Sequence, residues 1–212
     1  MNEWFNFLLM PYNQTSISAI ILEAIAFLFG IIAVIFSQRV NIWTYPMGIV
    51  STSIYIYLTF AVALYADMMI NIYYTSISFY GWHIWERKKD ETQTLHITFS
   101  DRKDYLKSGV LFIATVIVTV IIYSINRRLE QGYAWIDIFT TGIFFSGMYQ
   151  MAMKKVENWI FWIVGNIVSI PLYFYKGLVL TSIQFIIFTG LSIGGYILWK
   201  RKAKEKDLRP LC

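Results

Sequence analysis

"GWHIWERK" (Gly81–Lys88) returns near the end of the chain as "GYILWKRK" (Gly195–Lys202). Each copy sets a tryptophan four residues after a glycine, on one helix face, and runs into a basic cluster. A helix end that occurs twice asks for a duplicated unit before it. Upstream, Gly30, Asn41 and Gly48 recur as Gly147, Asn158 and Gly165, spaced by 117 residues where the helix ends are spaced by 114. A three-residue deletion in the second copy, where "FAVALYADM" gives way to "YKGLVL", reconciles the two spacings.

The duplicated unit is apolar. Of 212 residues, 57% are hydrophobic, 18% aromatic and only 15% charged. A soluble domain of this length needs more charge to cover its surface, and such a density of Trp and Tyr fits lipid headgroup regions. A bilayer span takes about 20 mostly apolar residues. Seven such stretches are read: 17–38, 42–60, 67–85, 105–125, 135–153, 157–175 and 178–199. The fold class is therefore an all-α integral membrane protein with seven transmembrane helices.

Residues 1–16 have no basic n-region and are expected to lie along the interface rather than to be removed as a leader. Residues 17–85 form a first three-helix repeat, 86–104 a polar loop, 105–125 a connector helix, 135–199 a second repeat and 200–212 a basic tail. Three spans invert a chain, so a connector between the copies restores direction. The expected arrangement is a parallel 3+1+3 array, as in SWEET transporters.

Charge orients this array. Of the 18 Lys and Arg residues, 15 fall on one side, in the 86–104 loop, the 154–155 turn, the tail and their flanks. Only Arg127, Arg128 and Lys176 fall on the other. Basic loops stay cytoplasmic, which puts the N-terminus outside and the C-terminus inside. The net charge of +5 is thereby accounted for without a nucleic-acid partner. A single cysteine, Cys212, excludes a disulfide framework or a thiolate metal site. No metal or other cofactor is expected.

Several spans carry polar stripes. In "VENWIFWIVGN" (Val156–Asn166), Trp159, Trp162 and Asn166 share a face that continues to Ser169 and Tyr173. This is either a packing seam or the wall of a pocket, and Trp159 by itself reads as an interfacial anchor. Asp67, Asn71, Tyr74, Ser78 and Trp82 form a stripe on the third span. Asp137, Thr141, Phe144 and Met148 lie along the fifth, with Gln150 round the cylinder, and Thr181, Gln184, Phe188 and Gly195 along the seventh. Asp67 and Asp137 open helices, where a carboxylate also complements the dipole. Asn71, Asn166 and Gln184 are amides far from either end; each lines a path or bonds another helix. For Glu23, structural pairing and a functional role are equally open.

Other functions lack their chemistry. With only His83 and His96, paired axial haem ligands are missing, and no H-E-x-x-H or embedded Ser–His arrangement occurs. The seventh span holds no lysine for a retinal. The chain is therefore expected to be a transporter of a small aromatic solute, not an enzyme.

The phrases "YPMGIVS", "YADMMINIYYTSISFYGWHIW" and "ENWIFWIVGNIVSIPLYFYKGL" resemble the PnuC family of bacterial nicotinamide riboside transporters over about Leu22–Trp199. The resemblance implies a SWEET-like fold, a homotrimer in the bacterial cell (inner) membrane, and facilitated diffusion of nicotinamide riboside. It also implies a cytoplasmic kinase that traps the solute and feeds NAD synthesis. It makes Trp159 and Trp162, the family's W-x-x-W, substrate-site residues. Asn166 stands where relatives often have Asp. A cationic pyridinium suits Trp faces, at about 0.5–2 kcal/mol each when desolvated. Asn71, Tyr74, Asn166 and Gln184 would meet the carboxamide and ribose. Thiamine, also a cationic aromatic, is the alternative solute.

Overall fold

Ser16 starts the first helix: its extended backbone leaves the side chain free to accept from the Ala19 amide at 3.3 Å. In the computed structural model the described residues are 16–61, 65–87, 96–127, 129–175 and 179–207, and they form seven α-helices. These are α1 (Ile17–Gln38), α2 (Thr44–Ala61), α3 (Tyr65–Arg87), α4 (Arg102–Ile125), α5 (Ala134–Ala152), α6 (Asn158–Tyr175) and α7 (Val179–Asp207). The expected interfacial segment lies outside the described residues save for Ser16, and Asp67 has no described side chain. The basic tail begins as helix, since α7 continues through the lysines to Asp207.

By length and composition alone, α1, α4, α6 and the Thr181–Glu205 stretch of α7 are apolar enough to cross a membrane. The remaining three, α2, α3 and α5, are richer in hydroxyls and amides. In α5 the small and polar Thr140, Thr141, Gly142, Ser146, Gly147 and Gln150 are all buried. What lowers their hydropathy is what faces inward.

Consecutive helices pack as neighbours within α1–α3 and within α5–α7, and two seams, α3 on α5 and α1 on α7, join these halves. Although α1 and α5 start 117 residues apart, the halves correspond at one spacing from the ends of these helices to the starts of α3 and α7. Helices α1 and α5 end at Gln38 and Ala152, α2 and α6 run 44–61 and 158–175, and α3 and α7 start at Tyr65 and Val179. The left-handed turn residues Val40 (φ 59°) and Lys154 (φ 52°) also match. Each pair is 114 residues apart, as are Ser37 and Met151, which touch each other across the seam at 3.2 Å. The spacing of 117 and the deletion inferred with it are therefore overturned. The reason is geometric: positions three apart share a helix face, so a glycine face can align while the register does not.

At this register the opening motif explains itself. A Cβ on Gly81 would lie 2.5 Å from the Tyr45 ring, and one on Gly195 would lie 2.6 Å from the Trp159 ring. Tyr45 and Trp159 are themselves equivalent positions. Four residues after each glycine, Trp85 and Trp199 stand edge-on to those rings, with centroids 5.0 and 5.6 Å away.

The 86–104 segment is expected as a plain loop, but its described end is a strap, preceding a helix that starts at Arg102. Ile97 is buried in the core, the Thr98 amide donates to the Lys154 carbonyl, and the Val156 amide donates to the Thr98 carbonyl. Ser100 donates through its amide to Glu157 and through its hydroxyl to Gln150, whose own amide donates to Ser108 on α4. A 2.7 Å ion pair joins Lys155 to Asp104. Gln150 is thus a structural bridge at 0% exposure. Asp101 and Asp104 close a capping box that starts α4.

Gly81→Ala or Gly195→Ala should force apart a glycine–aromatic contact at equivalent places and cost about 1–3 kcal/mol. Gly190→Ala, whose Cβ would meet nothing within 4 Å, should be neutral or stabilising. Thermal unfolding of the three purified variants in detergent checks the contrast; equal melting temperatures would refute this packing.

Candidate functional site

Between the two halves lies a cavity of about 240 Å³. All six residues singled out as substrate-binding line it: Asn71 and Tyr74 from α3, Trp159, Trp162 and Asn166 from α6, and Gln184 from α7. Ser78 and Phe188 from the same stripes also reach it, as does Met148 from α5. Other stripe members do not. Thr141 and Asp137 lie off the cavity, and Asp137 accepts from the Tyr123 hydroxyl. Ser169 is buried and Tyr173 packs against Phe185 at 5.0 Å.

Trp162 stands in an aromatic frame, 5.5 Å from Phe144 and 6.4 Å from Tyr74. Phe144 is held by its stack on Phe185 and by Gly165, where a Cβ would come within 2.4 Å of its ring. Asn166, 2% exposed, donates to the Ser192 hydroxyl at 3.4 Å, a long bond. Tyr55 meets Gln184 through a side-chain hydrogen bond, and Glu23 is close enough to Tyr55 to act on it electrostatically. Glu23 itself is not in the wall. Among the described residues no Asp, Glu, Lys, Arg or His lines the cavity, so aromatic faces, amides and hydroxyls make up its described chemistry.

Trp159 is no interfacial anchor: it is 1% exposed and packed over Gly195. It belongs to a row of rings, Tyr45–Trp85–Trp199–Trp159, with Trp85 and Trp199 centroids 6.5 Å apart. This row closes the cavity toward the ends of α1, α3, α5 and α7, where the basic residues gather. Tyr45 Oη and Trp159 Nε1 are buried there without a hydrogen-bond partner. Reading by polar stripe missed Tyr45, Thr52, Tyr55 and Met151, together with Gly30 and Gly48, all of which line the cavity. The repeat was the available signal for Tyr45, which occupies the place of Trp159.

The family described as nicotinamide mononucleotide transporter matches residues 20–201. The chain belongs to that family. It is 21% identical to the nicotinamide riboside transporter PnuC of Escherichia coli (strain K12), covering 90% of this chain and 89% of that one. It is 25% identical to the PnuC of Neisseria mucosa, covering 87% and 73%. A riboflavin/roseoflavin transporter, RibM of Streptomyces davaonensis, is 24% identical over 86% and 85%. A crystal structure of the vitamin B3 transporter PnuC superposes with a TM-score of 0.65 at 25% identity, covering 96% of this chain and 91% of that one. This family member is thus an all-helical membrane transporter and not an enzyme.

One charge touches the closing row. Lys154, in the turn between α5 and α6, sets its ammonium 4.3 Å from the Trp85 ring centroid. Burial lowers it to about 8 from the ordinary 10.5, while the ring face favours the charged form. Between those values the unfolded chain holds a proton that the folded one has released, so folding stability rises with pH across that window. The melting temperature should climb from pH 8 to 10 more in the wild type than in Lys154→Met; identical pH profiles would refute the assignment.

Proposed function

We propose that this transporter carries nicotinamide riboside by facilitated diffusion, with Trp159, Trp162, Asn166, Asn71, Tyr74 and Gln184 as its substrate-binding residues. The observation that carries the reading is a cavity walled, among the described residues, by Trp162, amides and hydroxyls with no charged side chain. Such a wall accepts a delocalised cation through ring faces and a carboxamide and sugar through hydrogen bonds. The family description names the mononucleotide, but a phosphate dianion calls for Arg or Lys, and the described residues of the cavity offer neither. The riboside is the better fit, as the names of the PnuC relatives also favour. Thiamine is the second cationic candidate, and the RibM relative's name extends the range to riboflavin.

We further infer two parallel three-helix repeats about the connector α4, as the single spacing of 114 supports. The assembly is a homotrimer in the bacterial inner membrane, on the strength of the resemblance. With no acidic pair among the described residues of the cavity, transport equilibrates rather than accumulates, and a cytoplasmic kinase retains the product and commits it to NAD synthesis.

Calorimetric titration should rank nicotinamide riboside above thiamine, with the mononucleotide weakest. Trp162→Ala removes a stacking face worth about 1–3 kcal/mol, so affinity for either cation should fall roughly tenfold to a hundredfold. Asn166→Ala should alter the ranking more than the shared affinity. Thiamine binding more tightly would overturn the solute, and an unaffected Trp162→Ala would overturn the pocket.

Orientation has its own test, because the basic ends require a cytoplasmic C-terminus. An impermeant maleimide should label Cys212 only in opened cells; labelling of intact cells would reverse the topology.

A further inference from the structure

Glycine within a helix needs a reason, because alanine there is more stable. Gly81, Gly142, Gly165 and Gly195 have one: a Cβ on any of them would come within 2.7 Å of an aromatic ring. Gly109 and Gly190 face open space. Gly48, in α2, fits neither group. A Cβ there would make ordinary contacts only, 3.8 Å from the Ser78 hydroxyl and 4.0 Å from the Ala33 methyl, and no positive φ calls for glycine. Ser78, Ala33 and Gly48 all line the cavity. What Gly48 supplies is empty volume in the wall.

The position 114 residues further on, at the spacing relating the halves, is Trp162. One half places its largest side chain on the cavity where the other places none. Gly30 is a weaker instance, because the Ser51 hydroxyl already stands 3.3 Å from where its Cβ would be. Around Gly48 the wall is hydroxyl-rich. Thr44 donates to the Ala33 carbonyl, Ser51 to the Ala26 carbonyl, and Thr52 shares a 2.7 Å bond with Thr75. A hydroxyl that donates keeps lone pairs to accept. The recess is therefore suited to a group rich in donors, as a sugar or polyol is.

We propose that Gly48 is a specificity-determining residue, whose missing side chain makes the recess for the hydroxylated part of a two-part solute while the flat ring lies on Trp162. This deepens the reading above and rests on it for the ring's place, but it assigns Gly48, α2 and the polyol class independently of which ring is carried.

The test is calorimetry on wild type, Gly48→Ala and Gly48→Leu with paired probes: nicotinamide riboside against 1-methylnicotinamide, and riboflavin against lumiflavin. Gly48→Ala should keep or raise the melting temperature, weaken the sugar-bearing probe by about tenfold or more, as a methyl intruding into a fitted pocket does, and leave the bare ring within about twofold. Gly48→Leu should abolish binding of the sugar-bearing probe. Equal losses within a pair, or full retention by Gly48→Leu, would overturn the proposal. Wild type that binds the flavin pair instead overturns the riboside and leaves Gly48 to be judged on riboflavin against lumiflavin. A solute-free arm covers wild type that binds neither pair. In a Cys212→Ser background, Gly48→Cys should react with a small methanethiosulfonate, and the attached group should block binding of the sugar-bearing probe in whichever pair the wild type binds. An unreactive Gly48→Cys would overturn the proposal, since that residue would not face the cavity.

Discussion

The last carbonyls of a helix have no partner within it, and among apolar helices no water is at hand to supply one. Here each half completes the other. Trp85 of α3 donates its indole N–H to the Ala152 carbonyl at the end of α5, at 3.0 Å. Trp199 of α7 donates to the Ser37 and Gln38 carbonyls at the end of α1, each at 3.1 Å. Ala152 and Gln38 are equivalent positions, so the contact is an exchange of the same bond in both directions, the self-complementary form of a two-fold interface. Interhelical bonds of this kind are worth about 0.6–2 kcal/mol each. Their larger effect is to set the ends of α1 and α5 at one level, beside Trp199 of α7 and Trp85 of α3.

From that level the rest of the site is set. Each indole needs room above the first ring of the next helix pair, which Gly81 and Gly195 provide, and Tyr45 and Trp159 fill it. The four rings close one end of the bundle, and the space left above them between α1, α2 and α3 of one half and α5, α6 and α7 of the other is the cavity. The strap from Ile97 to Ser100 binds α4 to the α5–α6 turn, so the connector travels with the second half. No helix-packing seam of comparable extent joins α4 to α1, α2 or α3. Relative movement of α1–α3 against α4–α7 would leave the strap intact and break the tryptophan bonds together with the Gln38–Leu191, Tyr73–Phe145 and Ser37–Met151 contacts.

Much of this was legible in the chain. Most span boundaries were, because helices end close to where polar or turn residues begin, although α7 runs on through the lysines to Asp207, and the six amide and aromatic positions do meet at one cavity. Trp159 was misjudged as a surface anchor because its nearness to a helix end in sequence does not reveal Gly195 beneath it. The repeat register was misjudged because glycine faces align at either spacing. Gln150 reads only as an amide round the cylinder from the α5 stripe, because its partners, Ser100 and Ser108, lie on segments distant in sequence. Gly48 could not be recognised at all, since a cavity residue that acts by having no side chain leaves no chemical mark.

The two classes of equivalent position divide the labour. Gly81 with Gly195, Trp85 with Trp199 and Ser78 with Ser192 keep their identity, and all but the serines belong to the packed frame. Gly48 with Trp162, Gly30 with Phe144, Thr52 with Asn166, Asn71 with Phe185 and Ile70 with Gln184 differ, and in every pair at least one member lines the cavity. A cavity on the seam between matching halves would start with matching walls, suited to a solute with two like ends. A flat ring joined to a polar group has unlike ends. Under the proposed reading, binding it in one orientation calls for walls that diverge, and the substitutions between the halves at these lining positions supply that divergence.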